Sequence, residues 1–188
     1  MTVSSQMGRD ELMSRAAKIK LLLMDVDGVL TSGHLFMVPD GQGGMAETKG
    51  FSSQDGIALQ WLSWYGIKTG VISGRNSPAT VERAKQVRMT YVYQGHIEKI
   101  PILEEIFRES GLKGDEIAYV GDDLTDVVIM RRVGLTFATA NARREVKEVA
   151  MATTDMPGGE GAVREIIELL LQAQGFWPEL LKKYEVVL

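Results

Sequence analysis

An α/β fold in three layers, a parallel sheet between two layers of helices, is predicted by three features of the chain. Short apolar runs without polar alternation recur along it, as expected of strands covered on both faces. Stretches with helical period lie between those runs. The conspicuous polar residues gather just after the runs end, where an open α/β sheet carries its ligand site.

The runs expected as strands are Lys20–Val26 (KLLLMDV), Ile67–Ile72, Thr90–Tyr93, Ile117–Val120 and Leu135–Ala138. Ile57–Tyr65 has helical period, with Ile57, Trp61 and Trp64 or Tyr65 on its apolar face. Pro78–Val87 starts a helix at Pro78, with Ser77 as N-cap. Ile97–Glu109 and Arg164–Gln174 are amphipathic. A βαβ series of this kind closes most simply as a Rossmann-like parallel sheet with right-handed crossovers.

Residues 31–50 break the rhythm. Pro39-Asp40-Gly41 separates His34–Val38 from Met45–Lys49, which predicts a β-hairpin. Leu35, Phe36, Met37 and Val38 are apolar at adjacent positions, so the hairpin is apolar on both faces, and one domain surface can cover only one of them. It is either a partly exposed flap or an assembly surface.

The composition bounds the function. At 188 residues with 45% hydrophobic and 24% charged residues the chain reads as a single globular domain, 1–188, with the hairpin inserted and a C-terminal Gly-rich tail with helices over 156–188. Lys plus Arg is 21 and Asp plus Glu 25, a net charge of −4, which leaves no broad basic field for nucleic acid. No apolar run approaches the ~20 residues a membrane helix needs, and the N-terminus lacks an apolar signal-peptide core. With no cysteine there is no disulfide, thiolate metal site or catalytic thiol, which fits the cytoplasm.

The chemistry collects at the strand ends. Asp25 and Asp27 follow the first run in D-V-D-G-V-L-T, Ser73 the second in I-S-G-R, and Asp122, Asp123 and Asp126 the fourth in G-D-D-L-T-D, while Lys99 precedes a helix. Carboxylates gathered at one sheet edge repel by about 4 kcal/mol per pair at ~4 Å and an effective dielectric of ~20. A divalent cation relieves that repulsion, and all-oxygen ligation favours Mg²⁺ over zinc. Such a cluster beside a lysine and a hydroxyl suits phosphoryl transfer. Asp25, at the strand end, is rigidly placed to attack phosphorus, and Asp27, in the loop, can reach the leaving oxygen. A calcium loop does not fit, because its fifth and twelfth positions are Val29 and Phe36. His34 and His96 have no partner at triad or zinc spacing.

Together these motifs resemble the four motifs of the haloacid dehalogenase superfamily of aspartyl-phosphate phosphatases. Within it the short hairpin in place of a cap domain, F-S-S-Q-D-G at 51–56, Y-Q-G at 93–95 and G-G-E-G-A-V-R-E resemble the branch that hydrolyses 3-deoxy-D-manno-octulosonate 8-phosphate, a lipopolysaccharide precursor. The resemblance implies a HAD-like fold and an aspartyl-phosphate on Asp25, with Asp27 as acid and then base. It implies Mg²⁺ held by Asp25, the Asp27 carbonyl and Asp122, and phosphoryl oxygens bound by Ser73 and Lys99. It places Asp126 and Asp123 behind these groups, Asp126 orienting Lys99 or a metal-bound water, and Gly74 and Arg75 at the substrate. It further implies a homotetramer in which hairpins assemble and the Gly-rich tail carries Arg164 to the sugar carboxylate in a neighbour's cleft. Gln54 stands where that branch is expected to carry a basic residue, and a related nonulosonate 9-phosphate is the alternative substrate.

Two other classes compete. A signalling receiver domain carries its phospho-acceptor after the third strand, but here that strand ends in Val92-Tyr93-Gln94-Gly95 without an Asp. A non-catalytic tetramerisation module of the same fold needs none of Asp25, Asp27, Ser73, Lys99 and Asp122, all of which are present.

Overall fold

The computed structural model of the chain describes residues 4, 5 and 7–186, so the last two residues of the tail 156–188 lie outside it. Its seven-stranded sheet is built from β1 (Ser4–Ser5), β2 (Leu21–Met24), β5 (Lys68–Ile72), β6 (Tyr91–Tyr93), β7 (Ile117–Gly121), β8 (Leu135–Ala138) and β9 (Ala152–Thr153), in the order β1-β9-β8-β7-β2-β5-β6. Every pairing is parallel except β1 with β9. The central strand β2 has Leu21 level with Lys68 and Ile117, and Met24 level with Val71 and Val120.

Its four residues are wholly buried because the two faces divide them. Leu22 and Met24 join a core with α1 (Arg9–Ala16), α2 (Ser53–Trp64) and α7 (Ala162–Ala173). Leu21 and Leu23 join the opposite core with α4 (Ile100–Ser110), α5 (Leu124–Met130) and α6 (Arg144–Val149). This is the three-layer arrangement expected of unbroken apolar strands. The remaining helices are α3 (Pro78–Gln86) and α8 (Trp177–Lys183). Among the described residues no helix is long and apolar enough to cross a membrane.

Two expectations are corrected. The α2 helix begins four residues before Ile57, capped by the Ser52 hydroxyl accepting from the Asp55 N–H, and its buried stripe is Asp55, Ala58, Leu59 and Leu62 with Trp61, so Ile57 and Trp64 are left exposed. The inward face is centred on Leu59 and Leu62 rather than on Ile57, and of the expected face Trp61 is buried and Tyr65 packs against the core. At α3 Pro78 is the first helical residue as expected, but the Ser77 hydroxyl makes no cap bond; the Ser77 N–H instead donates to the Gln94 side-chain oxygen.

The hairpin forms where expected, as β3 (Phe36–Pro39) and β4 (Met45–Thr48), with Phe36 opposite Thr48 and Pro39 opposite Met45. Its turn is held by Asp40, whose Oδ1 accepts from the N–H groups of Gln42 and Gly44. Among the described residues no other strand pairs with it, and all of its strand residues are exposed except the half-buried Glu47.

Candidate active site

The site lies at the carboxyl ends of β2, β5 and β7. Asp25, Asp27, Ser73, Gly74, Arg75, Asp122 and Asp123 line one open cleft of about 280 Å³. The parallel register makes this so, since Met24, Val71 and Val120 are level and each strand releases its polar residues at one height.

Asp25 is held from both sides. Its Oδ1 accepts from the Val26 N–H at 2.7 Å, and its Oδ2 lies 3.1 Å from the Lys99 ammonium. Burial first, and then the neighbouring Asp126 carboxylate, push its pKa up to about 6 against the pull of Lys99. The loop turns at Gly28, whose φ is +82° and where a Cβ would lie 2.0 Å from an Asp122 oxygen, so glycine alone lets the first and last motifs meet.

Lys99 is one of the largest fully buried side chains. Its ammonium donates to Asp126 Oδ1 at 2.7 Å and to the Tyr119 hydroxyl at 3.1 Å. Burial works against the charge, yet Asp126 and Asp25 hold its pKa above the ordinary lysine value. Asp126 is fully committed: Oδ1 also accepts from Tyr119 at 2.6 Å, and Oδ2 accepts from the N–H groups of Asp122 and Asp123. It thereby closes a capping box with Asp123, whose own Oδ1 accepts from the Leu124 N–H at the start of α5. The run G-D-D-L-T-D is at once a helix start and a charged framework.

Oxygens of Asp25, Asp122 and Asp126 come within 4.8 Å of one another. Asp122 Oδ1 is buried with no hydrogen-bond partner among the described residues. Burial, followed by Asp126, Asp25 and Asp123, pushes Asp122 up to about 8. An orphaned buried carboxylate oxygen facing a second carboxylate, with no nitrogen or sulfur donor in the cluster, fits a hard divalent cation such as Mg²⁺. Since Asp126 has spent its acceptors, Asp25 and Asp122 are the side chains left to hold it.

Nine of the ten residues singled out from the sequence gather here, seven in the cleft and Lys99 and Asp126 beneath it. Arg164 does not. It lies on α7 with its guanidinium 4.0 Å above the Trp61 ring, paired with Glu168 beside Trp177 and Tyr184. Gly158 and Gly159, expected to reach a neighbour, pack on this chain's own first loop: a Cβ on Gly158 would lie 1.9 Å from the Gly28 carbonyl oxygen. Gln54 is exposed in the first turn of α2. Three further residues enter unannounced. Tyr119 reads as strand core, and only its register opposite Leu23 carries it under Asp126. Lys49 and Glu47 come from the hairpin, 22 residues from Asp27 in the case of Lys49, and no spacing points to them.

A family profile described as haloacid dehalogenase-like hydrolase matches residues 75–167. A 3-deoxy-D-manno-octulosonate 8-phosphate phosphatase of Yersinia pestis is 36% identical over 165 residues, covering 88% of this chain and 86% of that protein. The solved structure of the phosphatase of that name from Moraxella catarrhalis, in complex with magnesium ion, phosphate ion and a KDO molecule, has a TM-score of 0.89 at 34% identity and covers 94% of this chain and 99% of that one. The cobalt-bound deoxy-D-mannose-octulosonate 8-phosphate phosphatase of Haemophilus influenzae has a TM-score of 0.80 at 33% identity, with 87% and 93% covered.

Proposed function

Because the chain belongs to the haloacid dehalogenase-like hydrolases, in the family of 3-deoxy-D-manno-octulosonate 8-phosphate phosphatases, we propose that it hydrolyses that sugar-acid phosphate to the free sugar acid and inorganic phosphate. The observation that carries the reading is the pair of acids two residues apart. Asp25 is clamped at the end of β2 between Val26 and Lys99, and Asp27 faces the same cleft from the loop.

An Asp25 oxygen attacks phosphorus and the bond from phosphorus to the ester oxygen breaks, leaving an aspartyl-phosphate; Asp27 gives its proton to the departing alkoxide. Water then attacks the aspartyl-phosphate, its proton passes to Asp27, and Asp25 is regenerated as phosphate leaves. Ser73 and Lys99 meet the phosphoryl oxygens, and Asp126 with Tyr119 keeps the Lys99 ammonium aimed and charged. Asp25, Asp122 and the Asp27 carbonyl would hold Mg²⁺, which when bound neutralises charge on the phosphoryl group and on the paired carboxylates. Asp123 supports this framework from the start of α5.

Gly74 and Arg75 line the cleft, and the Arg75 guanidinium gives it a cationic end, suited to a sugar carboxylate. Arg164 can serve only from a neighbouring subunit, and the two-faced exposed hairpin supports a homotetramer that would bring one close. A cytoplasmic place for the enzyme agrees with the absence of cysteine.

Phosphate release from a panel of phosphorylated sugar acids and neutral sugar phosphates tests the reading. The octulosonate 8-phosphate is expected to lead in kcat/KM by at least about tenfold over esters without a carboxylate. Asp25→Asn is expected to lose on the order of 10³-fold or more in kcat. A nonulosonate 9-phosphate in first place would transfer the substrate assignment to it, and a fully active Asp25→Asn variant would end the covalent mechanism.

A further inference from the structure

From Ser32 to Thr48 every residue is exposed except Glu47, which is half-buried; the next residue, Lys49, has a side chain only 1% exposed. What covers it is the site. The Lys49 ammonium donates to both oxygens of Asp27, at 2.6 and 2.8 Å, and among the described residues it is the only hydrogen-bond donor to that carboxylate. Glu47 Oε1 lies 3.6 Å from the same ammonium, and Glu47 Oε2 accepts from Arg75 at 2.5 Å. A chain of charges thus runs from the base of the hairpin to two residues lining the cleft.

We propose that Lys49 is the positioning residue for Asp27, holding the acid/base carboxylate in one orientation through both half-reactions and tying the hairpin to the catalytic cleft. The proposal rests on the acid/base reading of Asp27 given above. Asp27 stands in a loop, and its carboxylate is partly exposed, so without a fixed donor it would sample several rotamers. Asp25 needs no such help, since its oxygens are fixed by Val26 and Lys99 within the body of the fold. A lysine suits the task because its ammonium carries three donors and no acceptor. It can stay bonded to whichever Asp27 oxygen lacks the proton, while the other oxygen gives the proton to the alkoxide or receives it from water. Lys49 itself neither gains nor loses a proton, and no atom of it enters the bond changes. Glu47 balances the second cation, so that Arg75 is held near the cleft without crowding Lys49.

The experiment compares the Mg²⁺-loaded full chain with Lys49→Met, Lys49→Arg, Asp27→Asn and the double variant of Asp27→Asn with Lys49→Met, reading kcat and KM for 3-deoxy-D-manno-octulosonate 8-phosphate and melting temperature in parallel. Lys49→Met is expected to lower kcat by about 10- to 100-fold with KM changed less than about threefold. Lys49→Arg is expected to keep more of kcat than Lys49→Met. In the Asp27→Asn background, removing Lys49 is expected to cost less than about twofold more, since a positioning residue has nothing left to position. A KM that rises with kcat kept would make Lys49 a substrate ligand and overturn the proposal. A full loss added on top of Asp27→Asn, or no difference between the Arg and Met variants, would also overturn it. A fully active Asp27→Asn variant is a separate failure, because it removes the acid/base reading and this proposal with it.

Discussion

The carboxyl edge of β2, β5 and β7 and the β3–β4 hairpin lie side by side, yet they are made on opposite principles. At the sheet edge Lys99 is 1% exposed, Asp126 is 0% exposed, and nearly every polar atom has a partner inside the chain. In the hairpin Phe36, Met37 and Met45 are more than half exposed, and among the described residues no strand outside the hairpin pairs with it. The difference shows which parts of the site the body of the fold holds by itself. Asp25, Lys99 and Asp122 are set by strand register and buried hydrogen bonds. Asp27 and Arg75 are also tied to the hairpin, through ion pairs with Lys49 and Glu47.

The rigid edge should fail first at Asp126. Asp126→Ala would leave Lys99, Tyr119 and the N–H groups of Asp122 and Asp123 without an acceptor they now share. Removing one partner from a buried charged network costs about 3–5 kcal/mol, so the urea midpoint should fall steeply and turnover with it. A loss below about 1 kcal/mol would mean that the framework is less rigid than its burial implies.

Much of this edge is legible in the sequence, and for a physical reason. A strand buried on both faces is mostly apolar, so the first polar residue after the apolar run marks the strand end, and Asp25, Ser73 and Asp122 fall where LLLM, GVI and IAYVG stop. What escapes is what periodicity cannot carry. The α1, α5, α6 and α8 helices run six to eight residues, too short to show an apolar stripe, and β1 and β9 have two residues each. Tyr119 looks like core because its ring is core; only the hydroxyl belongs to the site. Gly158 reads as freedom for a reaching tail, whereas its missing Cβ is needed within the chain against Gly28.

A middle-sized effect is expected from pH. Asp122 has a folded-state pKa of about 8 and Asp25 one of about 6, both above the ordinary 3.8 and both raised first by burial. The metal-free fold therefore holds protons that the unfolded chain has shed, and the stability they contribute is complete below about pH 4 and lost as pH rises through 6 and then 8. Mg²⁺ replaces those protons, so its stabilising effect should grow over the same window. Melting curves are expected to show a metal-free Tm that falls from pH 6 to pH 8 and a Mg²⁺-induced rise that is larger at pH 8. An equal rise at both values would place the ion elsewhere than on Asp25 and Asp122.

The smallest effect on stability is expected at the hairpin, and it separates folding from assembly. Leu23, fully buried in the central strand, should cost about 2–5 kcal/mol when cut to Ala, because the cavity cannot close between two helix layers. Phe36 is 54% exposed, so Phe36→Asp should change unfolding of the subunit by no more than about 0.5 kcal/mol. Its effect should appear in sedimentation instead. Four consecutive apolar residues, Leu35 to Val38, present both faces of β3 to solvent, and a charge placed among them opposes any association that buries them, at roughly 25 cal/mol per Å² of apolar surface forgone. The wild-type chain should sediment as an oligomer and Phe36→Asp as a smaller species with an intact fold. Because Lys49 and Glu47 stand at the base of the same hairpin, the smaller species should also turn over more slowly, while Mg²⁺ still raises its melting temperature. An unchanged oligomer would show that the hairpin is a free flap, and a monomer with undiminished kcat would show that its base is held by Asp27 and Arg75 without help from any neighbour.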